Sequence, residues 1–101
     1  SFGAAVLAAL LEAGHDVAQV FAPVGDRLDF AARQKQLQVA DRLVADALLP
    51  DLDLIVCAHA HVFVSEKARN RTRLGGLGYH PSLLPRHRGR DAVRWAIHMG
   101  D

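Results

Sequence analysis

Tyr79-His80-Pro81-Ser82-Leu83-Leu84-Pro85-Arg86-His87-Arg88-Gly89 places a histidine directly before two closely spaced prolines. Two prolines around an apolar Leu-Leu can neither continue a strand nor sit inside a helix, because proline lacks a backbone N–H and fixes φ. The residue before each proline is also pushed toward extended geometry. The stretch is therefore expected to leave a strand over Leu77–Tyr79, run as an extended loop, and enter a helix near Arg90-Asp91. A histidine at the end of a buried strand, just before such a loop, lies where open α/β sheets place their chemistry.

The surrounding chain fits that frame. Its 101 residues amount to one small domain, half of the residues are hydrophobic, and the net charge is +1. Such a balance excludes a disordered chain or a strongly basic nucleic-acid binder. No run of about 18 apolar residues suggests a membrane helix, so no membrane partner is expected. A single cysteine, Cys57, rules out an internal disulfide and fits a reducing, cytoplasmic compartment.

Phe2, Val6, Leu7, Leu10 and Leu11 recur at helical spacing, and Gly14 is a natural C-cap, so a helix is expected over residues 2–13. Val17 to Phe21 reads as a buried strand ended by Pro23 and Gly25. The Ala-, Gln- and Leu-rich stretch from Phe30 to Leu49 reads as a long amphipathic helix, with a break expected near Gln38 and a stop at Pro50. Leu52 to Ala58 is a continuous apolar run, as a parallel strand covered on both faces should be. His59-Ala60-His61 follows. Two histidines at i and i+2 point to one side of an extended chain, but neither a third ligand nor a cysteine pair accompanies them, and no metal is expected.

Ser65 to Arg73 carries Lys67, Arg69, Arg71 and Arg73 without interleaved aromatics. It reads as a short helix showing its cations to solvent rather than as a nucleic-acid site. Leu74 to Tyr79 is the strand that delivers His80. After the loop, Ala92, Val93, Trp95, Ala96 and Ile97 are expected to form the apolar face of a further helix, with Asp91 capping its N-terminus.

The motif itself resembles the signature Asn-x-His-x-Ser-Leu-Leu-Pro of the formyltransferase family that uses 10-formyltetrahydrofolate. Gly78-Tyr79-His80-Pro81-Ser82-Leu83-Leu84-Pro85 keeps all of it except the asparagine, and Arg88-Gly89 follows. The family includes methionyl-tRNA formyltransferases, and the wording is most similar to the hydrolase domain of 10-formyltetrahydrofolate dehydrogenase. The resemblance implies an α/β, Rossmann-like three-layer fold with a parallel sheet, its strands near 17–21, 52–58 and 76–80. It also implies that residues 1–101 are a partial N-terminal catalytic domain, incomplete at both ends, because the family's first strand and catalytic aspartate fall outside this sequence. An apolar sheet edge beside Val17–Phe21 is expected to follow from the missing strand.

The same resemblance implies that His80 is the catalytic histidine, that His61, Val62, Phe63 and Val64 flank the pterin, and that Ser82, Leu83, Leu84 and Pro85 form the folate-pocket loop. Arg86, Arg88 and Arg90 would suit folate carboxylates or a substrate phosphate. Formyl transfer passes through a tetrahedral oxyanion, which an imidazolium can stabilise while proton transfers free the attacking amine and the leaving nitrogen. Gly78 stands where the family has the asparagine, and loss of one oxyanion donor costs about 3–4 kcal/mol. The implied donor is 10-formyltetrahydrofolate, with an amine as acceptor, the amino group of initiator methionyl-tRNA being one candidate. A 10-formyltetrahydrofolate hydrolase and a non-catalytic folate-binding module are the alternatives.

Overall fold

The computed structural model describes residues 2–58, 64–78 and 94–98. In chain order these form α1 (Phe2–Glu12), β1 (Asp16–Phe21), α2 (Arg27–Gln34), β2 (Gln38–Ala40), a 3-10 turn (Ala45–Ala47), β3 (Leu54–Cys57), α3 (Glu66–Arg69), β4 (Gly76–Gly78) and β5 (Arg94–His98). The five strands make one sheet in the order β2-β1-β5-β3-β4, and every pairing among them is parallel. An α/β, Rossmann-like three-layer arrangement is thus present.

α1 forms as its apolar spacing dictates. Val6, Leu7 and Leu10 are buried, and Gly14 at φ 85° ends the helix while the His15 N–H donates to the Leu10 carbonyl at 3.0 Å. β1 follows at once and packs on α1 through Val17 and Val20.

The single helix expected over 30–49 is replaced by three elements. α2 begins earlier because Asp26 caps it, its carboxylate accepting from the Leu28 N–H at 3.0 Å. It ends at Gln34 because Gln36 turns left-handed at φ 60°, and the Leu37 N–H then bonds back to the Ala32 carbonyl. Residues 38–40 instead pair with β1, with Val39 reaching the core on one face and Ala40 on the other. Helix propensity is worth only tenths of a kcal/mol per residue, so a ladder against a buried strand overrides it. Among the described residues Ser65 caps the short arginine-bearing α3, its hydroxyl accepting from the Ala68 N–H at 3.1 Å.

The larger correction is at residues 94–98, which form a strand where a helix is expected. β5 lies between β1 and β3, so the expected open edge beside Val17–Phe21 is occupied. Trp95 and Ile97 enter the core under α1 and α2, and Ala96 enters the opposite core with Phe21, Ile55 and Val64. The side chains therefore alternate with period two, which a five-residue apolar run cannot reveal in sequence. Trp and Ile also suit a pleated, fully buried strand.

The two cores cover the two sheet faces. One is built from α1, α2 and the Val17, Val20, Val56, Trp95 and Ile97 face; the other from Phe21, Ala45, Leu48, Leu52, Ile55 and Ala68. The register of β1 against β5 slips between Val17 and Gln19. This bulge turns both Ala18 and Gln19 toward the second core. Gln19 is 2 % exposed there, donating to the Ala47 carbonyl at 2.8 Å and accepting from the Leu49 N–H at 2.9 Å.

Two outcomes test this packing. Gln19→Leu leaves the Leu49 N–H and Ala47 carbonyl unpaired and is expected to lower stability in urea titration by about 1–3 kcal/mol, whereas the exposed Gln38→Leu has little effect. Burial lowers the pKa of His15 below 6.5, so the folded chain favours neutral imidazole while the unfolded chain takes up a proton. Stability is therefore fully present above pH 6.5 and is lost as pH falls from there through the folded pKa. Urea midpoints across that window should fall for the native chain and stay flatter for His15→Phe.

Candidate functional site

Because all the described strands are parallel, their carboxyl ends lie along one edge of the sheet. From β1 the chain runs outward to β2; from β3 it runs the other way to β4, with β5 between the two halves. The order therefore reverses at the centre, and the crevice outside the carboxyl ends at such a reversal is where open α/β sheets bind ligands.

Three described segments border that edge. After β1, residues 22–26 turn through Gly25 at φ 82°, where a side chain would be strained. The Gly25 N–H donates to the carboxylate of Asp29 at 2.9 Å, and the Arg33 guanidinium donates to the same carboxylate at 2.6 Å. The Gly25 hydrogen bond, then that of Arg33, holds the Asp29 carboxyl below its ordinary pKa. The side chain is buried, so the turn is fixed by a charged group on the inner face of α2. A polar residue one turn after a capping aspartate is the sequence signal for it, whereas the bridging role of Gln19 has none.

After β3, Cys57 is half-buried and burial raises its thiol pKa, which leaves it protonated and a poor nucleophile at neutral pH. The chain returns to the described structure at Val64. This residue, implied to flank the pterin, is 7 % exposed and packs in the core with Ile55, Ala68 and Ala96. Its carbonyl accepts from the Arg69 guanidinium at 3.1 Å. β4 ends at Gly78, which stands abreast of Cys57 in the parallel register. His61, Val62, Phe63, His80, Ser82, Leu83, Leu84 and Pro85 lie outside the described residues, as do His59, the arginines at 86, 88 and 90, and Asp91. Among the described residues, no group of three or more His, Cys, Asp or Glu side chains could hold a metal ion, and no helix is long and apolar enough to cross a membrane.

The edge thus has the form of an open α/β ligand crevice, with histidine-bearing segments departing in sequence from β3 and β4. Comparison with known proteins narrows it. The chain belongs to the formyl transferase family, whose profile matches residues 3–101. It is similar to a methionyl-tRNA formyltransferase of Acidobacterium capsulatum, 32 % identical over 122 aligned positions, covering 100 % of this chain and 39 % of that protein. It is also similar to the cytosolic and mitochondrial 10-formyltetrahydrofolate dehydrogenases of Mus musculus, at 31 % and 32 % identity, covering 99 % of this chain and 13 % of each. The chain therefore spans well under half the length of these relatives. No solved structure matches it.

Thiol labelling tests the environment of Cys57. The native chain should react with a disulfide reagent at pH 8 several-fold more slowly than the same chain in denaturant, because burial both hides the sulfur and suppresses the thiolate.

Proposed function

We propose that this chain is the donor-binding part of an enzyme that transfers the formyl group of 10-formyltetrahydrofolate to an amine, with His80 as the catalytic residue. The observation that carries the reading is the register that sets Gly78 beside Cys57 at the carboxyl edge, at the reversal of strand order. The family motif begins at Gly78 and reaches His80 two residues later.

In this reading His61, Val62 and Phe63 wall the pterin from the β3 side, Val64 being taken up by the core, and Ser82, Leu83, Leu84 and Pro85 close it from the β4 side. Attack of the amine on the formyl carbon makes a tetrahedral oxyanion. His80 as imidazolium stabilises that charge, and collapse expels the folate nitrogen, which takes a proton. A free Cys57 agrees with a reducing, cytoplasmic setting. One relative's name supplies a candidate acceptor, methionyl-tRNA, whose amino group would attack; in the second reading, a 10-formyltetrahydrofolate hydrolase, water takes its place. Gly78 favours keeping the second reading, since glycine offers no side-chain donor to the oxyanion.

The test uses the longest native protein that contains this chain, given 10-formyltetrahydrofolate with and without aminoacylated initiator tRNA. Formyl transfer that depends on the tRNA supports the transferase; formate release indifferent to every amine supports the hydrolase. His80→Ala is expected to lower either rate by about 10²–10³, as removal of an oxyanion-stabilising group does. Unchanged turnover in that variant would end the assignment of His80. Folate binding that survives in a protein without turnover would favour a binding module.

A further inference from the structure

β4 is three residues long, Gly76-Leu77-Gly78, and two of them carry no side chain. Leu77, packed against the first core, is the one residue of the strand whose side chain can fix its register. Glycine-rich strands specify register weakly, and a slip of one residue moves the chain by about 3.3 Å and reverses the face each residue takes. Gly78 is nevertheless the residue from which the motif departs, reaching His80 two positions on. The phase of β4 against β3, with Ile55 abreast of Gly76 and Cys57 abreast of Gly78, therefore decides where the motif leaves the sheet.

The turn ahead of β4 supplies what the strand lacks. α3 is anchored by Ala68, wholly buried in the second core, and by the Arg69 guanidinium, which donates to the Val64 carbonyl at 3.1 Å. The Thr72 hydroxyl joins that helix to the strand. Its oxygen accepts from the Gly75 N–H at 2.9 Å, and its single proton is in reach of the Arg69 carbonyl at 2.9 Å and the Gly75 carbonyl at 3.1 Å. Gly75 turns left-handed at φ 88°, and its carbonyl accepts from the Ile55 N–H of β3 at 2.9 Å. Between them, the Arg73 and Leu74 N–H groups donate to the Leu52 and Asp53 carbonyls. Those two bonds fix where the turn crosses, and the Thr72 hydroxyl fixes how the chain turns from there into β4.

We propose that Thr72 is a positioning residue for formyl transfer: its hydroxyl sets the register of β4 and, through it, the delivery of His80 to the carboxyl edge. The proposal rests on the role given to His80 above. Misplacing a reacting group by about 1 Å costs about 10² in rate, so a hydrogen bond remote from the chemistry governs turnover.

The experiment uses the longest native protein that contains this chain. Thr72→Val keeps the shape and removes the hydroxyl; Thr72→Ser keeps the hydroxyl. Thr72→Val is expected to lower kcat by about tenfold or more while KM for 10-formyltetrahydrofolate changes by less than about twofold, and Thr72→Ser to stay within about twofold of the native rate. No loss in the valine variant, or an equal loss in the serine one, overturns the proposal. Because Thr72 acts through His80, adding Thr72→Val to His80→Ala should cost nothing further; a second full loss in that background shows general destabilisation and overturns it. Hydrogen exchange reads the structural half without turnover. Residues 74–78 should exchange about tenfold faster in Thr72→Val while residues 16–21 are unchanged; acceleration of both segments, or of neither, overturns the proposal. If His80→Ala leaves turnover intact, the assignment of His80 falls, and the exchange result still decides whether Thr72 holds β4. Should Thr72→Val not fold, Thr72→Ala, which removes the hydroxyl without filling the turn, is read by the same measurements.

Discussion

The backbone ladder of β5 holds the described sheet together. Its N–H and C=O groups are satisfied on both sides, by β1 and by β3, and without it the described strands fall into two separate pairs. The apolar gain is concentrated in the same place. Trp95 is the largest fully buried side chain, and Ala96 and Ile97 are wholly buried on opposite faces. A parallel sheet needs cover on both faces, and β5 contributes to both cores, Trp95 and Ile97 to one and Ala96 to the other.

Charge is distributed so as to reinforce that ladder from one end. Asp53, just before β3, accepts from the Arg73 guanidinium at 2.8 Å and from the Arg94 backbone N–H at 2.9 Å, joining the starts of β3, β4 and β5. The hydrogen bond from Arg73, then that from Arg94, keeps its carboxyl below the ordinary pKa. Asp16 and Arg94 make a looser pair at the starts of β1 and β5. These ionic contacts sit at the amino ends of the strands, while the carboxyl edge is bordered by Gly25, Cys57 and Gly78.

How far the sequence could be read depended on which force decided each segment. α1, β1, β3 and α3 were legible because periodicity, a C-cap glycine and an N-cap serine agree with the tertiary outcome. Residues 30–49 were not, because Ala, Gln and Leu favour a helix locally while pairing of Gln38–Ala40 with β1 decides the result. Residues 94–98 were illegible for a different reason: a short, wholly buried apolar run has no exposed face to betray its period. The candidate site was legible as residue types. The spacing from Gly78 to Pro85 identifies the family, which the profile match over residues 3–101 bears out. Asp29 and Gln19 escaped because their roles rest on partners brought together only by the fold, in the case of Gln19 across a separation of about 30 residues.

The central position of β5 also has a temporal consequence. Asp16 and Arg94 are register partners 78 positions apart (94 − 16), so the middle of the sheet joins some of the most distant parts of the chain. During synthesis β1 and β2 emerge well before β5, so the pairing of β1 with β2 can form before its pairing with β5. Contacts of such sequence separation slow folding, since loop-closure entropy is lost before they form.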